Sequence, residues 1–248
     1  MPPDRTKAIV LADGSVPERA TLDAAWPGWD AGVSLVVAAD GGARHAAPLG
    51  LRIDRWVGDG DSIGAAELEG LAAAGIAISR APAAKDESDS ELALAAAIDA
   101  GATEIIVLGA LGGPRVDHAL ANVGLLTHPA LQGRAACLYD ERAARISLLV
   151  APAPGVPDSA PAPASGPEPG TPVERALTGR VGDLVSLVPV GETAIGVTTR
   201  GLRYPLSREP LVLGRTRGIS NVKVDEDAAV SLESGRLLVI ETPATVRP

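Results

Sequence analysis

Phenylalanine is missing from this 248-residue chain, and aromatic residues make up only 2% of it. A core must then come from Ala, Val, Leu and Ile, and a hydrophobic fraction of 46% is enough to build one. The single cysteine, Cys137, excludes an intrachain disulfide framework and any multi-cysteine metal site. No apolar run reaches the roughly 18 residues of a membrane span. The opening Met1-Pro2-Pro3-Asp4-Arg5 lacks the apolar stretch of a signal peptide. Basic residues are in deficit, 22 Lys+Arg against 31 Asp+Glu for a net charge of −9. That balance excludes a general nucleic-acid binder, which carries a basic stripe. A soluble cytoplasmic protein is the expectation. Also missing are a G-x-x-x-x-G-K-[ST] loop, a G-x-G-x-x-G after a strand and a serine nucleophile elbow.

What is present is a two-part pattern. Ala8–Leu11, Ser34–Ala39, Arg55–Val57, Ile76–Ser79 and Glu104–Leu108 read as short apolar strands. Between them Ser62–Ala74, Ser88–Ala100 and a stretch ending at Asn122 read as helices. Ser88 and Glu91 form a capping box, and Gly75 and Gly101 are stop signals. Strands apolar on both faces, alternating with helices, predict an α/β fold with a parallel sheet over residues 1–150. Residues 151–177 are rich in Pro, Ala and Gly, lack apolar periodicity, and read as a flexible linker. Residues 178–248 carry no helical pattern. Leu184–Val190, Ile195–Thr199, Leu211–Leu213 and Ala228–Leu232 are strand candidates, with Ser234-Gly235 as a hairpin turn before Arg236–Glu241. This second part predicts a smaller antiparallel β-sandwich.

The chemistry-bearing residues sit where strands end. Asp40-Gly41-Gly42 follows the second strand, Gly58-Asp59-Gly60-Asp61-Ser62 the third, Lys85-Asp86-Glu87-Ser88-Asp89 the fourth, and Gly112-Gly113-Pro114-Arg115-Val116-Asp117-His118 the fifth. Strand C-termini of an open parallel sheet share one edge, and ligands bind there. Asp59, Asp61, Asp86 and Asp89 would repel one another if gathered without a cation, and hard oxygen ligands suit Mg²⁺. Gly41, Gly42, Gly112 and Gly113 let backbone N–H groups approach an anion. Arg115 and Lys85 supply positive charge for phosphate oxygens. His118 and Asn122 share one helix face. Each cluster taken singly is an ordinary turn or helix cap; four in sheet order point to Mg²⁺-dependent phosphoryl chemistry.

Together with Ser220-Asn221, these clusters, in this order, resemble the thiamine pyrophosphokinase (thiamine diphosphokinase) family across roughly residues 7–242. The resemblance implies an α/β domain followed by a β-sandwich that binds thiamine and dimerises. It implies a homodimer and transfer of a pyrophosphoryl group from ATP to the thiamine hydroxyl, releasing AMP. On it, Asp59, Asp61, Asp86 and Asp89 hold Mg²⁺, with Asp61, Asp89, Arg115 and Asp117 as the catalytic set. Asp40, Gly41, Gly42, Lys85, Ser88, Gly113, His118 and Asn122 line the nucleotide region, and Ser220 and Asn221 seat thiamine. Gly60 stands where the family has an apolar residue, and Pro114 adds one residue to the usual glycine–arginine spacing. Either Asp89 or Asp117 could take the hydroxyl proton. A pyrophosphokinase for another hydroxymethyl heterocycle, of pterin type, and a non-catalytic nucleotide-binding protein are the alternatives.

Overall fold

The structure is a computed structural model that describes residues 6–152 and 171–246. Most of the predicted linker, residues 153–170, lies outside the described residues. The chain forms two compact units that divide after Ala143, earlier than the expected boundary at 150.

In chain order the first unit contains β1 (Lys7–Leu11), α1 (Arg19–Ala25), β2 (Val33–Ala39), β3 (Arg55–Gly58), α2 (Ala65–Ala73), β4 (Ala77–Arg80), α3 (Asp89–Asp99), β5 (Glu104–Leu108), α4 (Val116–Gly124) and β6 (Ala135–Tyr139). The strands run in the order β6-β5-β1-β2-β3-β4, and every pairing is parallel. The predicted strands are present, as are the Ser88 cap and the stops at Gly75 and Gly101, both at positive φ. The Ser88 hydroxyl accepts from the Glu91 N–H at 3.2 Å. The Glu91 carboxylate faces His128 at 3.7 Å. The predicted helix Ser62–Ala74 is shorter than expected, Ala65–Ala73, because Ser62 belongs to the turn before it. The α1 and β6 elements were not read from the sequence.

The inner strands β1, β2 and β5 each carry four consecutive buried residues, so they are covered on both faces. Ile9, Leu11, Val36, Ala38 and Trp56 pack with Leu22, Trp26 and Trp29 in one cluster. α3 lies against β1, β2 and β3, with Ala93, Leu94 and Ala97 buried. With no phenylalanine, tryptophan supplies the bulk, and each indole N–H has an acceptor: Trp26 on the Ala143 carbonyl, Trp29 on Asp23, Trp56 on the Asp40 carbonyl. From β1 the chain proceeds outward through β2, β3 and β4, then returns to place β5 on the other side of β1. The strand order therefore reverses at β1, and the C-terminal edge at that point is open to a ligand.

The second unit contains β7 (Arg145–Ala151), β8 (Val173–Ala176), β9 (Leu184–Pro189), β10 (Ala194–Arg200), β11 (Glu209–Leu211), β12 (Asn221–Val222), β13 (Ala229–Leu232) and β14 (Gly235–Thr242). Two antiparallel layers, β12-β9-β14-β7 and β11-β10-β13-β8, share a core of Leu149, Val185, Leu187, Val197, Leu211, Val230, Leu232, Leu237 and Val239. β7 pairs along its length with β14, so residues 145–151 belong with the second unit. Val173–Ala176, placed in the linker by composition, pairs with β13.

Two further expectations are corrected. The predicted strand Leu211–Leu213 is instead Glu209–Leu211, and Val212 and Leu213 are about half exposed. Ser234-Gly235 is not a hairpin turn. β13 pairs with β10 and β8, whereas β14 pairs with β7 and β9, so the chain changes sheets there. Gly235 makes that corner at φ 104°.

Candidate active site

Turns after β1, β2, β3 and β5 and the start of α3 meet at the switch point. They line a cleft that includes Asp13, Gly14, Asp40, Asp61, Ser62, Ser88, Asp89, Gly112, Gly113, Arg115, His118 and Asn122. The predicted convergence of strand-end motifs is therefore present, and each residue has a local cause.

Asp40 is the deepest group, only 2% exposed. It sits at φ 43°, in the left-handed region that costs a non-glycine residue energy. The Trp56 indole holds its carbonyl at 3.0 Å, and Gly58 gives it room, since a Cβ there would lie 2.9 Å from the Asp40 Cβ. Its Oδ2 accepts from the Ser62 N–H at 3.2 Å, and its Oδ1 is buried without a partner. Burial, followed by the neighbouring Asp61 and Asp89, raises its pKa to about 6.

Asp59 and Asp61 are set by a turn in which the Asp61 N–H bonds to Asp59 Oδ1 at 3.1 Å, with Gly60 at φ 87°. Asp89 enters from the first turn of α3. One oxygen from each of Asp40, Asp59, Asp61 and Asp89 lies within 4.8 Å of the others. Lys85 reaches in between, 3.0 Å from Asp59 Oδ2 and 2.7 Å from Asp89 Oδ1. Burial opposes the lysine charge, but its bonds to Asp89 and Asp59 outweigh that and raise its pKa. The Lys85 bond holds Asp59 below the usual carboxylate range.

Of the residues expected to hold a metal, Asp59, Asp61 and Asp89 lie together, with Asp40 beside them. Asp86 is exposed on the turn before the Ser88 cap and is not part of the group, whereas Asp40 is. Four carboxylates, with one buried oxygen unpartnered, are a hard-oxygen donor set that fits Mg²⁺.

Gly112 and Gly113, at φ 76° and 78°, line the cleft. Gly41 and Gly42 do not: a Cβ on Gly42 would meet the Leu11 carbonyl oxygen at 2.1 Å, so this glycine serves the contact with β1. Arg115 is exposed at the N-cap of α4. Its guanidinium grips Asp117 with two bonds of 2.9 and 2.6 Å, and that fork holds the Asp117 carboxyl far below its ordinary range. His118 lines the cleft from an exposed position. Asn122 is buried and donates to the Ala110 carbonyl at 2.8 Å, which fixes the loop after β5.

Sequence reasoning missed Asp13-Gly14-Ser15. This turn runs beside the β5 loop through Gly14 N–H to Gly109 O at 2.8 Å and Ser15 N–H to Leu111 O at 3.1 Å, and Asp13 pairs with Arg44. An Asp-Gly directly after the first strand was the available signal.

Ser220 and Asn221 lie in the second unit. Ser220 sits at φ 59°, with its N–H on the Ser186 hydroxyl at 3.0 Å. Asn221 bonds to Tyr204: Oδ1 accepts from the Tyr204 N–H at 3.0 Å, and Nδ2 donates to the Tyr204 carbonyl at 2.7 Å. Lys223, buried two residues on, donates to the carbonyls of Leu177 and Gly179 and anchors this strand.

Two family models match this arrangement. One, described as "Thiamin pyrophosphokinase, catalytic domain", matches residues 29–138, and the other, "Thiamin pyrophosphokinase, vitamin B1 binding domain", residues 174–237. The chain belongs to the thiamin pyrophosphokinase family. The two matches together span more than half of its length and fall one in each unit. It is 29% identical to the thiamine pyrophosphokinase of Bacillus subtilis over 185 residues, 75% of this chain and 76% of that protein. Among solved structures it is similar to the thiamin pyrophosphokinase of Geobacillus thermodenitrificans, with 26% identity, a TM-score of 0.71, and coverage of 96% of this chain and 97% of that one. It is also similar to a thiamin pyrophosphokinase family protein from Enterococcus faecalis, with 27% identity, a TM-score of 0.70, and coverage of 96% and 98%. The family's catalytic match takes in Asp40, Asp59, Asp61, Lys85, Asp89 and Arg115.

Proposed function

We propose that the chain transfers the pyrophosphoryl group of ATP to the hydroxyl of thiamine, yielding thiamine diphosphate and AMP. The observation that carries this reading is the convergence of Asp40, Asp59, Asp61 and Asp89 at the switch-point cleft of the catalytic match. These four would hold Mg²⁺. When bound, the ion neutralises charge on the triphosphate.

The chain's own groups then have distinct work. The Gly112-Gly113 turn offers backbone N–H groups to phosphate oxygens. Arg115, whose planar fork matches a phosphate as it matches Asp117, turns to the charge developing on the transferred group. Lys85 bonds to both Asp59 and Asp89 and holds them in place. The thiamine oxygen attacks the β-phosphorus, and the bond from that phosphorus to the α–β bridging oxygen breaks, so AMP leaves with that oxygen. The hydroxyl proton passes to a carboxylate. Asp117, held far below its ordinary range by Arg115, is a weak base. Ser220 and Asn221 serve the thiamine end.

The protein works as a homodimer on this reading. Half-exposed Val212, Leu213, Ile219 and Val224 in the second unit support a covering second copy; a monomer by light scattering that keeps full activity refutes it. No helix among the described residues is long and apolar enough to cross a membrane, and a single buried cysteine accords with the cytoplasm.

The deciding experiment measures AMP release with thiamine and a pterin alcohol in parallel, with and without Mg²⁺. AMP and thiamine diphosphate from thiamine support the reading. ADP with thiamine monophosphate, or turnover of the pterin alone, refutes it.

A further inference from the structure

The cleft holds a fifth carboxylate. Asp13, on the turn after β1, lines the same cleft as Asp61, Asp89 and Gly113, yet it lies outside the four-oxygen group. A cation held by that group would leave the Asp13 charge uncompensated. Its partner comes from the turn after β2 instead: Arg44, late in the short 3₁₀ turn Asp40–His45, pairs with Asp13 Oδ1. Arg44 Nε also donates to the Gly41 carbonyl at 2.9 Å. Gly41 has no room for a side chain, because a Cβ there would lie 2.5 Å from Asp13 Oδ1 and 2.7 Å from Arg44 Nη2. Gly14 is packed as closely on the other side, where a Cβ would meet the Gly109 and Leu111 carbonyl oxygens at 2.5 Å. One line of contact therefore runs from Asp40-Gly41 through Arg44 and Asp13 to the loop that carries Gly112 and Gly113. The pair is open to water, with side chains 53% and 42% exposed, so it adds little to folding stability.

We infer that Arg44 is a positioning residue for the nucleotide triphosphate: it neutralises Asp13 on the cleft wall and clamps the turn after β1 to the turn that carries Asp40. The inference rests on the ATP reading above and deepens it. Without Arg44, Asp13 faces the triphosphate as a bare negative charge, and the turn that backs the Gly112-Gly113 loop loses its tie to Gly41. Gly41, expected from the sequence to line the nucleotide region, instead makes space for this pair.

The test is calorimetric binding of MgATP to the full-length chain, run beside steady-state turnover. Arg44→Ala weakens MgATP binding about 10-fold, the scale of one uncompensated charge a few ångströms from a phosphate in partly hydrated surroundings. Arg44→Lys, which keeps the charge, recovers most of that loss. Asp13→Ala combined with Arg44→Ala binds MgATP more tightly than Arg44→Ala alone, because the repelling charge is gone. The loss falls on KM for ATP and not on KM for thiamine, and the melting temperature moves by no more than about 2–4 °C, as for any exposed ion pair. Wild-type MgATP binding by Arg44→Ala overturns the inference, and so does a double variant that binds no more tightly than Arg44→Ala. An Arg44→Lys chain no better than Arg44→Ala overturns the neutralising role. If Arg44→Ala does not fold, Arg44→Gln takes its place in the same comparison. A wild-type chain that binds MgATP without forming AMP from thiamine refutes the proposed reaction and leaves the binding comparison intact; a chain that binds no MgATP overturns both.

Discussion

Replacing Asp40 by Asn isolates the strain that the acidic cluster places on the fold. The native carboxyl titrates near 6 rather than at its ordinary 3.8, because burial first, then Asp61 and Asp89, disfavour its charge. The folded state therefore holds the proton more tightly than the unfolded chain. Stability from this group is complete below about pH 4 and is lost as pH rises through 6. At about 1.4 kcal/mol per pH unit the full shift amounts to roughly 3 kcal/mol, and screening by water in the open cleft reduces it to about 1–2 kcal/mol. Asparagine keeps the acceptor for the Ser62 N–H and carries no charge. In metal-free buffer Asp40→Asn should gain about 1–2 kcal/mol over the wild type at pH 7, relative to their difference at pH 4. Urea melts at pH 4, 5, 6 and 7 with EDTA read this directly. Millimolar Mg²⁺ at pH 7 should then stabilise the wild type more than the variant, because a ligand that binds only the folded state adds stability. A wild-type-to-variant difference that stays constant from pH 4 to 7 would refute the assigned cause. Equal Mg²⁺ stabilisation of the two proteins would remove Asp40 from the metal site.

Three other outcomes are expected. Asp61→Asn should lose most AMP-forming turnover while staying folded by circular dichroism, whereas Asp86→Asn should remain within about 2-fold of wild type, since Asp86 lies outside the cluster. Gly42→Ala, whose Cβ meets a backbone oxygen at 2.1 Å, should lower stability by about 3 kcal/mol or prevent folding; Gly70→Ala, in open space within α2, should raise it by about 0.5–1 kcal/mol, both read from thermal melts. Arg115→Lys should reduce turnover about 10-fold or more, because a point charge replaces a two-pronged donor; unchanged turnover would place the oxyanion contact elsewhere.

The sequence by itself determined what is encoded locally. Apolar runs such as Glu104–Leu108 and the Ser88 and Gly101 signals around α3 fix strands and helices through short-range backbone chemistry, so the α/β alternation was legible. Once the sheet was read as parallel, strand-end motifs had to share an edge, which brought most of the cleft residues together before any coordinates. What local pattern could not carry is which distant segments pair. Arg145–Ala151 joins the second unit only because β14 is its partner, and Ser234-Gly235 looks like any hairpin turn until its flanking strands are found in different sheets. The same limit governs the site. Asp86 and Asp89 are neighbours in sequence, yet the start of α3 directs only Asp89 into the cluster. Asp40 enters because Trp56 and Gly58, on the next strand, hold its backbone in a strained conformation. The tie between Asn221 and Tyr204 spans 17 positions and follows from strand register, a tertiary property that no short window of residues contains.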